Sequence, residues 1–268
     1  MPFAELDGAR IYYEQHGNPG GDHVVFHHGA GGNALSWWQQ LPAFGERYRC
    51  TVFDARGWGR SLALGEHDRG AFGRDLVNLL EHLGIARAHV IAQSMGGRAV
   101  AGLLRLAPER GRSLVLCGTN AGATNDRVRE LQAALRVERG KGGLRAHALA
   151  PHFPAEQPGL ALLYHQVRRL NPPRERNVLG PPPANYRGST HQMLFDSGLP
   201  ITFIVGEHDR ITSPELIRES HSLVPGADLF EMAGAGHSTY FEQPDVFNDY
   251  VLAFLARAEA GEQEPRPA

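Results

Sequence analysis

The stretch "HVIAQSMGGRAV", residues 89–100, governs how the rest of the chain is interpreted. Its first four residues predict a short buried strand, and a serine and two glycines follow before apolar residues return at helical spacing. A serine between a strand and a helix needs a very tight turn, so the residues two before and two after it must be small. Ala92 and Gly96 fill those positions, and Gly97 gives the helix room to approach the strand. Ser94 is therefore either a nucleophile on a strained turn or a helix-capping serine.

Short apolar runs alternate with helical patterns along most of the chain. An N-terminal hairpin is expected at the turn Asp7-Gly8, and Ser36 is the expected N-cap of the first helix. Strands alternating with helices predict a mostly parallel, doubly wound α/β sheet with helices on both faces. The predicted strands are 24–27, 50–54, 89–92, 113–118, 201–206 and 227–232, and the predicted helices are 36–44, 72–83, the segment after Ser94, and 244–258.

The alternation stops between residues 121 and 190, where helical patches flank a proline-rich piece. This span holds ten arginines and one lysine but five acidic residues, although the whole chain has a net charge of −2. We expect it to be a cap insertion over the sheet. The α/β core would then comprise residues 1–120 and 191–258, followed by a disordered tail at 259–268.

Composition excludes several protein classes. The chain has 268 residues, of which 42% are hydrophobic and 21% charged, as in an ordinary soluble domain. A net charge of −2 gives no reason to expect nucleic acid or an anionic membrane as the main partner. Cys50 and Cys117 lie in apolar runs and are expected to be reduced core residues. No signal peptide or membrane span is recognisable, which favours a cytoplasmic location.

Four loops at the predicted carboxyl ends of strands carry chemically useful residues, and ligands of open α/β sheets bind at that edge. Ser94 is the first. Asp209 follows the strand ending at Gly206 and could orient an imidazole, with Glu207 as the rival acid. His237 lies in a glycine-flanked loop without a second ligand at metal spacing nearby. The fourth loop, "HHGAGGN" (27–33), lacks the lysine of a phosphate-binding loop and is interpreted as an oxyanion hole.

Taken together, these segments resemble the α/β-hydrolase superfamily over about residues 3–257. The matching segments are "HHGAGG", "FDARGWGRS" (53–61), "AQSMGG", "GEHD" and "GAGHSTYFEQP", in the family's order. The resemblance implies a Ser94–His237–Asp209 triad and, as oxyanion donors, the backbone N–H groups of Ala30 and Met95. Within "FDARGWGRS", it implies a scaffold role for the aspartate and the first arginine, Asp54 and Arg56.

This resemblance favours a serine hydrolase that cleaves a small carboxylic ester or lactone through an acyl-enzyme, without metal or cofactor. A C–C bond hydrolase of vinylogous diketones remains open, although such enzymes often place tryptophan after the histidine, where this chain has Ser238. A hydrolase-like signalling receptor and a cofactor-free lyase or oxygenase also remain open. The expected partners are the small-molecule substrate and, as one option, a second copy in a homodimer. The expected substrate contacts are Gly29, Trp37, Trp38, Arg168 and Arg169, and Arg174 and Arg176 are further candidates for binding a substrate carboxylate.

Overall fold

A computed structural model describes residues 2–139, 144–173 and 189–261 of the chain. Within them lies one sheet, with the strand order β1-β2-β4-β3-β6-β7-β8-β9, and β5 pairs with β2. The pairs from β4 through β9 are parallel, whereas β2 pairs antiparallel with β1, β4 and β5. The strands are β1 (Phe3–Leu6), β2 (Ala9–Gly17), β3 (His23–His27), β4 (Arg49–Phe53), β5 (Leu62–Ala63), β6 (Ala88–Gln93), β7 (Gly111–Cys117), β8 (Ile201–Gly206) and β9 (Asp228–Met232).

Helices cover both faces of this sheet. The α-helices are α1 (Gln40–Gly45), α2 (Ala71–His82), α3 (Gly97–Leu106), α4 (Asp126–Arg139), α5 (Phe153–Glu156), α6 (Pro158–Arg169), α7 (His191–Asp196), α8 (Pro214–Ser222), α9 (Thr239–Glu242) and α10 (Pro244–Ala260). Short 3₁₀ helices occur at Ala34–Trp37, Ser94–Gly96, Pro108–Arg110 and Leu144–His147.

The central strands are buried on both faces, and this explains why they read as continuous apolar runs. Side chains alternate along a strand, so the neighbours Val90 and Ile91 of β6 enter opposite cores. Val90 packs in a cluster with Leu76 of α2 and Leu103 of α3. Ile91 packs in a second cluster with Phe254 of α10. The two clusters hold helices on both sides of one sheet, as the doubly wound interpretation predicts.

The described residues between 121 and 190 contact elements near the carboxyl ends of the strands. Helix α4 packs on α8, and helix α6 contacts the 3₁₀ helix Ala34–Trp37. Tyr164 of α6 joins the same core cluster as Ile91. The insertion therefore contacts core elements on both sides of the edge where Ser94 lies.

The expectations differ from the structure at two helix ends. The first helical segment is capped by Asn33, whose side chain accepts from Leu35 N (3.0 Å), so Ser36 is not the N-cap. Ser36 instead accepts from Asn33 N at 3.1 Å, as the third residue of a capping box. The second difference is at the C-terminal end of α10. This helix continues to Ala260, and Gly261 ends it in a left-handed conformation. Residues 259 and 260 are thus helical rather than part of a disordered tail, and residues 262–268 lie outside the described residues.

Neither cysteine has a disulfide partner: Cys50 and Cys117 are free and buried. Burial raises the pKa of each thiol to about 12, which keeps both protonated and unreactive at neutral pH. No helix in the described part of the chain combines the length and apolar character that a bilayer crossing demands.

Candidate active site

Ser94 occupies a strained turn between β6 and α3. Its φ of 49° places a non-glycine residue in the left-handed region, where the Cβ is crowded. Small neighbours make this turn feasible. A Cβ on Gly96 would lie 2.8 Å from the His27 carbonyl oxygen, and a Cβ on Gly97 would lie 2.4 Å from Thr119 Oγ1. Such strain concentrates at functional sites, so Ser94 differs from an ordinary capping serine.

Asp209 and His237 form a buried hydrogen-bonded pair in loops that follow β8 and β9. His237 Nδ1 lies 2.7 Å from Asp209 Oδ2, and these residues are 5% and 3% exposed. The other oxygen, Asp209 Oδ1, accepts the backbone N–H groups of Ile211 (2.7 Å) and Thr212 (2.9 Å). These bonds fix the carboxylate in place. Because a carboxylate oxygen can only accept, Nδ1 of His237 must donate its proton to Asp209 Oδ2, which leaves the lone pair on Nε2.

Glu207, the rival acid, points elsewhere. Its side chain is exposed, and its Oε2 accepts from Gly234 N at 2.8 Å. The structure therefore brings Asp209, and not Glu207, to the imidazole of His237.

Ser94 and His237 face a small cavity of about 30 Å³. Ser94 also borders a larger cavity of about 390 Å³, on the side of Met95 and Gly97. The serine hydroxyl is thus positioned between a narrow and a wide space. The small cavity is lined by Gly29, Ala30, Gly32, Ser36, Gln93, Ser94, Leu144, Ala148, Tyr164, Val167, Arg168, Ile211, His237, Tyr240 and Phe241.

The glycine loop after β3 forms one wall of this site. Gly29 and Ala30 line the small cavity, and Ala30 and Met95 line the larger one. A tight turn fixes the loop, because Gly32 N donates to Gly29 O at 3.0 Å. The loop and the start of the helical turn after Ser94 therefore lie on either side of the serine.

The C-terminal end of α6 is hydrogen-bonded to this glycine loop. Asn33 Nδ2 donates to Val167 O (2.9 Å), and Asn171 Nδ2 donates to Gly31 O (2.8 Å). Asn171 Oδ1 also accepts from Gly59 N at 2.7 Å. The insertion thus helps to hold the loop in place, a function that nothing in the linear sequence indicated.

Of the expected substrate contacts, Gly29 and Arg168 line the small cavity. Arg168 is half-buried, and its NH1 donates to Ala30 O at 3.3 Å. Arg169 is exposed and lines neither cavity beside Ser94. Arg174 and Arg176 lie outside the described residues.

The two tryptophans also lie away from the cavities beside Ser94. Trp37 is fully buried, and its ring packs 5.1 Å from Phe26 and 4.4 Å from Tyr240. Trp38 is 41% exposed and borders an open groove beside Leu41. Neither tryptophan lines a cavity beside Ser94, because packing directs Trp37 into the core and Trp38 to another surface.

Asp54 and Arg56 hold loops rather than face a cavity. Asp54 Oδ1 accepts from Ala34 N at 2.7 Å, next to the glycine loop. The guanidinium of Arg56 binds Asp75 through two hydrogen bonds of 2.6 and 2.5 Å, and both side chains are buried. Such a bidentate pair anchors the turn after β4 to α2.

Glu242 is the main site residue that sequence reasoning overlooked. Its buried carboxylate accepts the backbone N–H groups on both sides of the histidine, Gly236 (3.1 Å) and Ser238 (3.2 Å). It also accepts from Ala150 N of the insertion at 2.8 Å. Burial raises the pKa of Glu242, and the three backbone donors oppose that effect. The carboxylate therefore holds the backbone around His237. The position of Glu242 within the family-like segment "GAGHSTYFEQP" was the sequence signal that could have identified it.

The residues that the structure describes around Ser94 form no metal-binding arrangement. Among residues 2–139, 144–173 and 189–261, no three ligand atoms of histidine, cysteine, aspartate or glutamate are grouped at this site. What the site does offer is a hydroxyl, an oriented imidazole and a carboxylate, with backbone amides nearby.

Known proteins resemble this chain in sequence and fold. The model of a family described as alpha/beta hydrolase fold matches residues 22–244. A protein named as a carbamate hydrolase, RutD, in Azorhizobium caulinodans is 27% identical, covering 97% of this chain and 100% of its own. A 2-hydroxy-6-oxononadienedioate/2-hydroxy-6-oxononatrienedioate hydrolase of Burkholderia vietnamiensis is 28% identical, over 92% and 91%. The solved enol-lactonase of Burkholderia xenovorans LB400 shares the fold, with a TM-score of 0.77 and 22% identity over 95% and 100%. The expected fold class is thereby confirmed, and the chain belongs to the alpha/beta hydrolase fold family.

Proposed function

We propose that this α/β hydrolase is a serine hydrolase that cleaves a small carboxylic ester or lactone through an acyl-enzyme. The observation that carries the proposal is the 2.7 Å contact between His237 Nδ1 and Asp209 Oδ2, at a cavity that Ser94 also lines. A serine hydroxyl is a weak nucleophile until a base removes its proton. An imidazole held with Nδ1 protonated offers Nε2 as that base.

In the proposed reaction, Ser94 Oγ attacks the acyl carbon while His237 Nε2 takes the hydroxyl proton. The carbonyl oxygen becomes an oxyanion, and the backbone N–H groups of Ala30 and Met95 are the proposed donors to it. Losing one such donor typically costs roughly 3–4 kcal/mol of transition-state stabilisation. His237 then gives its proton to the leaving alcohol, and water attacks the acyl-enzyme by the same route to regenerate Ser94.

Cavity size supports a short acyl group. One water needs roughly 10–15 Å³ of such space, so the small cavity of about 30 Å³ favours a short acyl group over a long one. The wider cavity of about 390 Å³ on the Met95 side has room for the alcohol part. We therefore place the acyl group against Tyr164 and the leaving group beside Gly97.

The second candidate function is C–C bond hydrolysis of a vinylogous diketone. It is favoured by the 28% identity to the hydrolase of Burkholderia vietnamiensis. Ser94 Oγ would attack a ketone carbon rather than an ester carbonyl, with His237 Nε2 again taking the hydroxyl proton. Ser238, which follows His237 and lies 2.9 Å from Tyr164 Oη, stands where that class often has a tryptophan.

Purified protein should be tested against p-nitrophenyl acetate, butyrate and octanoate, a small lactone and a vinylogous diketone, with Ser94→Ala as the control. We expect a pre-steady-state burst with the short esters, and kcat/KM at least tenfold higher for acetate than for octanoate. Cleavage of the diketone alone would support the C–C hydrolase instead. Turnover limited to a single cycle on every substrate would indicate a receptor.

Size-exclusion chromatography with light scattering would test the proposed homodimer in the same preparations. We propose that a small molecule is the natural substrate and that neither nucleic acid nor a membrane takes part.

A further inference from the structure

A second cluster of ionisable side chains lies at the opposite edge of the sheet from Ser94. Asp22 directly precedes β3, His89 is the second residue of β6, and Glu259 lies in the last turn of α10. Each offers one ligand atom, and these three atoms lie within 4.8 Å of one another. His89 is near the start of β6 and Ser94 directly follows its end, five residues further on, or roughly 16 Å at the usual rise per residue. The cluster is therefore separate from the proposed catalytic residues.

Two buried atoms in this cluster have no hydrogen bond of good geometry among the described residues, although the buried hydroxyl of Tyr48 lies near the Glu259 carboxylate, which raises the pKa of that hydroxyl. The two atoms are Nε2 of His89, a residue only 1% exposed, and Oε1 of Glu259. These atoms face each other at 3.5 Å. The other ring nitrogen, His89 Nδ1, lies 2.8 Å from Ser113 Oγ.

If Nδ1–H donates to Ser113, Nε2 turns a lone pair toward the carboxylate, and two acceptors face each other. Leaving a buried polar group unsatisfied is destabilising. A cation between the two atoms would satisfy both.

We propose that Asp22, His89 and Glu259 bind a divalent transition-metal ion of the zinc type. Two ligands at about 2.0–2.1 Å from a tetrahedral zinc ion lie about 3.4 Å apart, close to the separation between His89 Nε2 and Glu259 Oε1. Imidazole nitrogen and carboxylate oxygen are both common zinc ligands. The bond from Nδ1 to Ser113 is the outer-shell contact that usually orients a metal-bound histidine. The Asp22 side chain is 43% exposed, so water would complete the coordination from solvent.

Surrounding charges limit the affinity of this site. Arg112 NH1 binds Asp22 Oδ2 at 2.6 Å, and Arg47 NH2 binds Glu259 Oε2, so each carboxylate keeps its other oxygen for the metal. Arg87 is a third positive charge that acts on His89. Because these three arginines oppose a dication, we expect micromolar rather than nanomolar binding.

Binding would tie the last turn of α10 to the sheet and to the loop before β3. Since the ion would bind the folded chain and not the unfolded one, it should raise the melting temperature. It should not change ester hydrolysis, because it lies at the far edge of the sheet.

The full-length protein, treated with chelator and dialysed, should be titrated with ZnCl₂ at pH 7.5 by calorimetry. We expect one site with a Kd in the micromolar range, and MgCl₂ should bind at least a hundredfold more weakly. Glu259→Gln and Asp22→Asn should each weaken zinc binding at least tenfold, as should His89→Gln. His16→Gln is the matched control, because His16 contacts Glu14 at 2.8 Å on the exposed surface and should leave zinc affinity unchanged.

Thermal melts give a second readout. Zinc should raise the Tm of the wild-type protein and of His16→Gln by several degrees, and of Glu259→Gln by much less. The proposal is overturned if zinc shows no saturable binding below about 100 μM, or if Glu259→Gln and Asp22→Asn bind it as the wild type does. The cluster would then be an ion-pair network that encloses water.

Discussion

Replacement of Asp209 by asparagine tests how the imidazole is oriented. Asp209 Oδ1 accepts two backbone N–H groups at 2.7 and 2.9 Å, so the remaining oxygen of an asparagine must occupy that position. Its NH₂ group then faces His237 Nδ1, which lies 2.7 Å from the present Oδ2. A donor there requires Nδ1 to accept, which puts the ring proton on Nε2. That tautomer cannot take the proton of Ser94.

We expect kcat for p-nitrophenyl acetate to fall by about 10⁴-fold, as the same change does in a serine-protease triad. That factor corresponds to about 5.5 kcal/mol of activation free energy. The melting temperature should change little, because the introduced asparagine would keep the two backbone hydrogen bonds. Glu207→Gln is the matched control and should stay within threefold of the wild type, since its carboxylate accepts from Gly234 N at the surface. Activity of Asp209→Asn within tenfold of the wild type, or a crippling effect of Glu207→Gln alone, would refute this reasoning.

Three further predictions concern other parts of the molecule. Ser94→Ala should lower esterase kcat at least ~10³-fold with an unchanged circular dichroism spectrum, and activity within tenfold of the wild type would end the serine-hydrolase proposal. Arg168 lines the small cavity and can bind a carboxylate bidentately, so an ester bearing a carboxylate should have kcat/KM at least tenfold above that of a neutral ester of equal size. Arg168→Gln should abolish this preference and Arg169→Gln should not; equal rates for both esters in the wild type would contradict a carboxylate anchor. Burial lowers the pKa of His89 in the folded chain to about 4, so below pH 6.5 the unfolded chain binds more protons than the folded one. The contribution of His89 to the free energy of unfolding is therefore present above pH 6.5 and is lost as the pH falls toward 4. Urea unfolding in chelator should show a loss of about 2 kcal/mol from His89 between pH 7 and pH 5, and an equally steep loss in His89→Gln would exclude it as the source.

The order of elements followed from local sequence because hydrophobic periodicity is a local property. The strand Ile201–Gly206 was predicted with its observed bounds, and the turn at Ser94 was predicted from the small residues around it. These features depend on sterics and burial of consecutive residues, which a linear pattern records. Strand β5 is two residues long and carries no such pattern, so it was not predicted.

Choices between chemically similar neighbours were left to the tertiary structure. Asn33 and Ser36 are both good N-caps, and the path of the glycine loop decides that Asn33 caps the helix. Trp37 and Trp38 are adjacent, yet contacts with Tyr240, about two hundred residues away, bury the first and leave the second exposed. Partners so distant in sequence leave no local trace.

The chain by itself determined the fold class, the sharp turn at Ser94 and the set of loops that carry Asp209 and His237. The resemblance already implied Asp209 as the acid beside His237, and the structure has the two side chains in contact. Only the tertiary structure decided that Glu242 holds the backbone on both sides of the imidazole, and that Glu259 lies against His89. The physical reason is how far apart in the sequence the interacting residues lie. Secondary structure follows from interactions over a few residues, whereas a site is made of hydrogen bonds a few ångströms long between residues that the sheet topology brings together.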